Sequence, residues 1–161
     1  MKIFVFSDSH GNTLFMNDIL SREKGNYDHI IHLGDHCTDT RYIEPIIGIT
    51  PMISIIGNND SYYARHEYSE EKVVELYGKR FFICHGHKYC VKQNFDLITK
   101  KAETECCDIV LFGHTHSACV EKRGSIHLFN PGSIGSISAN GNSYGVITIE
   151  CNDVKFEIIY I

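Results

Sequence analysis

Short apolar runs, each closed by a polar or glycine-containing turn, recur from one end of the 161-residue chain to the other. Runs of four to eight such residues bounded by turn residues predict buried strands. Residues 2–7 (KIFVFS), 28–33 (DHIIHL) and 52–56 (MISII) are the first three. Between the first two, residues 12–24 carry Leu14, Phe15, Ile19 and Leu20 at helical spacing, and Gly25 closes the predicted helix. A shorter helix is predicted over 39–47, broken near Pro45. Residues 58–71 are polar and tyrosine-rich and read as a loop.

Beyond that loop the pattern becomes mainly β. Residues 72–77, a turn at Gly78 and Lys79, and residues 80–84 predict a hairpin. A helix over 95–104 and a buried strand over 108–112 follow, and then strands over 118–122, 125–129, 144–150 and 154–159. A β/α-alternating half followed by a hairpin-rich half predicts one α/β domain over residues 1–161. Its expected architecture is a four-layer α-β-β-α sandwich of two mixed sheets flanked by helices.

Five of these strands end alike. The first runs into Asp8-Ser9-His10, the second into Gly34-Asp35 and the third into Gly57-Asn58. The strand over 80–84 runs into His85, and the one over 108–112 into Gly113-His114-Thr115-His116. In open α/β sheets, ligands bind beyond the carboxyl ends of the strands, so these residues can share one rim. Each fragment alone has an ordinary structural explanation, such as a helix cap or a turn. Five strand ends that all supply oxygen or imidazole donors point instead to a metal site. Asp8, His10, Asp35, Asn58, His85, His114 and His116 are the candidate ligands. Mixed imidazole and carboxylate donors suit manganese, iron, cobalt, nickel or zinc. Seven donors exceed the needs of one catalytic ion with an open position, so two ions sharing a carboxylate are expected.

Composition narrows the picture further. The apolar runs are too short to span a membrane, and no secretory leader is evident, so a soluble cytoplasmic protein is expected. Net charge is −5 with histidines neutral, which offers no basic track for long nucleic acid. Two dications would still leave the site weakly positive against Asp8, Asp35 and a bridging hydroxide, and able to draw in a phosphate. Seven cysteines without a C-x-x-C spacing read as reduced, mostly buried thiols and not as a zinc knuckle. Cys84 beside His85 is not read as a thiol–imidazole pair, because neighbouring strand residues point to opposite faces.

The ordered set of Asp8-Ser9-His10, Gly34-Asp35, Gly57-Asn58-Asn59-Asp60, His85-Gly86-His87 and Gly113-His114-Thr115-His116 resembles the calcineurin-like metallophosphoesterase superfamily. Asn130-Pro131-Gly132-Ser133 and Ser143-Tyr144-Gly145 are similar to its small, single-domain phosphodiesterase branch in bacteria and archaea. The resemblance implies a binuclear-metal-dependent phosphodiesterase that hydrolyses small phosphate esters by a metal-activated hydroxide, with two divalent ions, Mn²⁺ foremost. It implies that Asp8, His10 and His116 hold one ion and Asn58, His85 and His114 the other, with Asp35 bridging. Asp35, Asn58 and His85 carry the catalytic assignment. Many relatives have histidine after the motif asparagine as a general acid; Asn59 stands there and cannot deliver a proton at neutral pH. His36 and His87 are the substitutes to consider, and Asp60 is expected to orient the loop. Gly132 to Ser136 is read as a turn under the site and not a P-loop, since no lysine follows. Tyr62 and Tyr63 suit either an aryl or nucleobase group or a subunit contact, so a homo-oligomer stays open. The alternative from another class is a non-catalytic protein-interaction scaffold on the same fold.

Overall fold

Alternation of side chains along the first strand, β1 (Lys2–Phe6), decides the layering: Ile3 and Val5 face one way, Phe4 and Phe6 the other. The computed structural model describes residues 1–135, 141–151 and 153–161. After β1 come α1 (Leu14–Arg22), β2 (His29–His32), α2 (Glu44–Ile47) and β3 (Met52–Ser54). The second half holds β4 (Glu71–Leu76), β5 (Lys79–Cys84), α3 (Asp96–Thr104), β6 (Ile109–Leu111), β7 (Cys119–Arg123), β8 (Ile126–Asn130), β9 (Ser143–Glu150) and β10 (Asp153–Tyr160).

Two mixed five-stranded sheets result. One has the order β10-β9-β1-β2-β3, with β1, β2 and β3 parallel and β9 antiparallel to both of its neighbours, β1 and β10. The other has the order β4-β5-β6-β8-β7, with β5, β6 and β8 parallel. Ile3, Val5, Ile31, Leu33 and Ile55 of the first sheet meet Phe81, Ile83, Ile109, Leu111 and Phe129 of the second in a shared, fully buried layer. On the outer faces, Phe4, Phe6 and Ile30 pack under Met16, Ile19 and Leu20 of α1. Phe82, Cys84 and Val110 pack under Ile98 and Ala102 of α3. The four-layer sandwich is thus the observed architecture.

Several local expectations change. The buried face of α1 begins at Met16, while Leu14 and Phe15 stay exposed, because only Met16 lies three and four positions before Ile19 and Leu20. Pro45 does not break a helix; it sits in the first turn of α2, where no N–H is needed. The chain before it, Cys37–Tyr42, winds as a 3-10 helix. Within the expected loop, Tyr62–His66 also forms a 3-10 turn, in which the Ser61 hydroxyl accepts from the Ala64 N–H. The hairpin turn is Tyr77-Gly78 and not Gly78-Lys79: both have positive φ, 53° and 74°, as a two-residue type I′ turn demands, and Lys79 already pairs with Leu76. The thiols are all free, but only Cys37, Cys84 and Cys107 are buried; Cys90, Cys106 and Cys151 are exposed at left-handed turn positions. Ser136, the end of the expected Gly132–Ser136 turn, lies outside the described residues. Among the described residues, no helix is long and apolar enough to cross a membrane.

The layer between the sheets carries the stability. Leu111→Ala, at its centre, should cost about 2–5 kcal/mol in denaturant unfolding. Leu97→Ala, on the exposed face of α3, should change stability by no more than about 0.5 kcal/mol. Equal effects for the two would contradict this placement of the core.

Candidate metal centre

The parallel strands of both sheets run out at one rim, and hydrogen bonds tie their ends together. Asp8 N–H donates to the Gly34 carbonyl (3.1 Å), and Gly113 N–H donates to the His85 carbonyl (3.0 Å). Between the sheets, His85 Nδ1 lies 2.7 Å from the Leu33 carbonyl and His114 N–H donates to Asp8 Oδ2 (3.2 Å). The chain reverses sharply at these ends. Asp8, His10, Asp35, His114 and His116 all have positive φ, between 49° and 68°. Aspartate and histidine tolerate this region better than most residues, so the same side chains serve as donors and make the turns.

Two glycines let the donors approach the backbone. A Cβ at Gly57 would sit 2.1 Å from Asp35 Oδ1, and one at Gly113 would sit 1.9 Å from Ser7 Oγ and 2.8 Å from Asp8 Oδ2. No side chain fits at either place.

At the rim, Asp8, His10, Asp35 and His116 bring one donor atom each to within 4.8 Å of one another. His10 Nε2 and His116 Nε2 face each other at 3.2 Å, and His116 Nε2 lies 3.2 Å from Asp8 Oδ1. His85 Nε2 points into the same space, 3.3 Å from Asp35 Oδ1 and 3.9 Å from Asp8 Oδ1. His114 packs on His85 with ring centroids 5.2 Å apart. Asn58 stands apart: it is exposed, and among the described residues no hydrogen bond joins it to the cluster.

The donor chemistry suits a cation. Since a carbonyl only accepts, His85 Nδ1 carries a hydrogen toward Leu33, so Nε2 is the nitrogen that offers a lone pair to a cation once the ring gives up its other proton. That Nε2 and Asp8 Oδ1 are both buried, and among the described residues neither makes a hydrogen bond despite these near approaches. Two buried polar atoms left without a hydrogen bond at one point are costly unless a cation completes them. Burial alone would raise the Asp8 and Asp35 carboxyls. Contact with His116, His85 and Ser7 instead holds Asp8 below its ordinary value, and His85 and Asn59 hold Asp35 well below it. Burial lowers His85, but Asp35 and Asp8 outweigh it and raise the imidazole; Asp8 also raises His116. His114 is pushed down to about 4 by burial and by His85, so it is neutral and ligand-ready.

Further residues hold this cluster in place, and sequence reasoning missed most of them. Asn59 donates to Asp35 twice, through its backbone N–H to Oδ1 (2.9 Å) and its amide to Oδ2 (2.7 Å). Asp39 Oδ2 accepts from the Gly11 N–H (2.8 Å) and the Ser9 hydroxyl (2.7 Å), pinning the loop that carries Asp8 and His10. Behind Ser9, His32 is fully buried and its imidazole is lowered to about 4 by desolvation; its Nε2 lies 3.1 Å from Ser9 Oγ. Nothing in the spacing of Asp39 or His32 signals this. Asp60 accepts from the Gly57 and Cys37 N–H groups, both at 2.7 Å, and so orients the loop as expected. Under the site, Ser133 Oγ donates to the Asp8 carbonyl (2.9 Å), and Asn130 Nδ2 to the Gly113 carbonyl (3.0 Å). Cys84 faces the outer core, where burial raises its thiol, and takes no part.

Two predictions follow from this geometry. Asp39→Ala releases the Gly11 and Ser9 donors and should weaken divalent-ion binding about 10–100-fold with the circular dichroism unchanged. Wild-type affinity in a folded variant would contradict the pinning role. Because His85 and His116 titrate above the ordinary histidine value, a cation must displace their protons. Affinity should therefore fall as pH drops through neutrality, and binding at pH 7 should release protons, measurable by calorimetry in buffers of different ionisation enthalpy. Binding without proton release would contradict imidazole ligation.

Comparison with known proteins agrees with this geometry. The model of the calcineurin-like phosphoesterase superfamily domain matches residues 1–153. The probable metallophosphoesterase MG207 of Mycoplasma genitalium is 31% identical over 137 residues, which cover 83% of this chain and 77% of that protein. The phosphodiesterase MJ0936 of Methanocaldococcus jannaschii is 26% identical over 170 residues, covering 96% of this chain and 97% of its own. A crystal structure from Streptococcus pneumoniae TIGR4, described as a predicted phosphoesterase, superposes with a TM-score of 0.81 at 29% identity, covering 99% of this chain and 88% of that one. By its strand-end motifs, its two-sheet fold and this match over nearly its whole length, the chain belongs to the calcineurin-like phosphoesterase superfamily and is a metal-dependent phosphoric ester hydrolase.

Proposed function

We propose that this chain, read as one domain over 1–161, is a cytoplasmic phosphodiesterase that acts on small diesters with two divalent ions, Mn²⁺ foremost. The observation that carries the reading is the pair of buried, unsatisfied atoms, Asp8 Oδ1 and His85 Nε2, aimed into a cluster of carboxylates and imidazoles. Asp8, His10 and His116 would hold one ion, His85, His114 and Asn58 the other, and Asp35 both. Asn58 follows Gly57, whose backbone abuts Asp35, at the exposed lip of the cluster. When bound, such ions polarise a phosphoryl oxygen and lower the pKa of water toward neutrality, which supplies the nucleophile.

The protein's own share is positioning. Asn59 fixes both oxygens of Asp35, and the His85 tautomer is set by Leu33. The diester is a monoanion, and the site would draw it in by charge. No residue at position 59 protonates the leaving oxygen. The scaffold alternative gains no support from the site, where each expected donor type is present.

Asp35→Asn should abolish most Mn²⁺-dependent hydrolysis of bis(p-nitrophenyl) phosphate. His127→Ala, remote and stacked on Phe156, should leave the rate near wild type. Equal effects would contradict the bridging role of Asp35. The wild-type rate should also fall steeply as leaving-group pKa rises along a series of substituted phenyl and alkyl diesters. Asn59→His should recover part of the 10²–10⁴-fold that general acid catalysis typically supplies, and most for poor leaving groups. A flat wild-type dependence with chemistry rate-limiting would show that another group already donates the proton.

A further inference from the structure

Beside the carboxylate–imidazole cluster lies a cleft of about 160 Å³ lined by His36, Thr38, Asn59, Asp60 and Ser61. Two of these residues are shared with the cluster's own surroundings: Asn59 is bonded to Asp35, and the His36 ring lies 5.7 Å from that of His10. The cleft therefore starts where the ester phosphate would sit. At its other side, Ser61 caps the short turn Tyr62–His66, and Ala64 anchors that turn from beneath by packing with Cys37 and Ile56. The anchored turn holds Tyr62 and Tyr63 out at 72% and 80% exposure. Their rings meet edge to face, with centroids 6.3 Å apart, and His66 supports Tyr62 from a third side at 5.6 Å.

We propose that the cleft and the tyrosine turn bind the nucleoside group of a nucleoside phosphodiester, a reading that rests on the phosphodiesterase assignment. The sugar occupies the cleft and the base lies against the exposed tyrosines. Size argues for this division: 160 Å³ is well below the roughly 300–1,000 Å³ that encloses a drug-sized ligand, so the cleft takes one small ring. Its lining is polar. Asp60 accepts two backbone N–H groups and the Cys37 thiol and still has acceptor capacity for one hydroxyl donor, and Thr38 adds a hydroxyl of its own. A carboxylate there also repels a second phosphate, which favours a neutral, hydroxylated substituent over a further charged one. Aromatic rings held in the open beside such a cleft suit a base, which stacks through either face whatever its identity. The chain's net charge of −5 offers nothing to a long phosphate backbone, so the ligand is a single nucleoside unit.

The test compares two diesters with one leaving group, thymidine 5′-(p-nitrophenyl) phosphate and methyl p-nitrophenyl phosphate, on the Mn²⁺-loaded protein. The expected result is a kcat/KM on the order of ten- to hundredfold higher for the nucleoside ester, mostly through KM. In the Tyr62→Ala/Tyr63→Ala double variant that ratio should collapse toward one, whereas Tyr160→Ala, on β10, should keep it. Equal kcat/KM for the two esters in the wild type, or a ratio retained in the double variant, overturns the proposal. If neither ester is turned over, the small-diester phosphodiesterase reading fails, and a nitrogen-15 NMR titration with thymidine decides the cleft separately. Shifts centred on the Thr38, Asn59 and Ser61 amides sustain it, and their absence overturns it.

Discussion

Two carboxylates, Asp8 and Asp35, lie buried where the two sheets meet, and the rest of the rim is arranged around keeping both charged. Burying a carboxylate is costly without a positive partner, and two close together are costlier still. Three imidazoles, one amide side chain and two backbone N–H groups converge on them. That surrounding lowers both pKa values but does not satisfy every atom: Asp8 Oδ1 and His85 Nε2 remain open. In this account a protein keeps such a defect because a cation completes it.

The fold exists at this point to bring strand ends together. Parallel pairing of β1 with β2 and of β5 with β6 places the ends of like-directed strands side by side, and the apolar layer between the sheets fixes one rim against the other. Left-handed backbone at five donor positions turns the side chains inward. Such conformations are strained for non-glycine residues and persist only where neighbours enforce them. Here the enforcing contacts are on view: Asp39 on the Gly11 and Ser9 donors, Ser133 on the Asp8 carbonyl, Asn130 on the Gly113 carbonyl.

Much of this was legible from residue order. Strands ending in Asp8, Asp35, His85 and His114 announce themselves because hydrophobic runs and turn residues are local signals. The layered architecture follows from the same pattern, with the family resemblance adding the roles. What the sequence conceals is lateral. Asn59 reads as a missing acid, yet in space it is the amide that grips Asp35. Asp39 and His32 look like unremarkable polar residues until β1 and β2 pair and bring them to Ser9. The apolar residues at 14 and 15 signal a helix but not its buried face, and only packing shows that Met16 joins Ile19 and Leu20 there. Pro45 reads as a helix breaker because a proline that starts a helix and one that ends it look alike when the preceding turn is 3-10.

The proposed reaction requires a rim that holds two cations sharing Asp35. Anomalous-difference diffraction from crystals equilibrated with Mn²⁺ would reveal them. Two peaks about 3.5–4 Å apart are expected, one beside Asp8, His10 and His116, the other beside Asn58, His85 and His114, with Asp35 between them. A single peak at saturating Mn²⁺, or a pair that leaves Asp35 untouched, would contradict this arrangement.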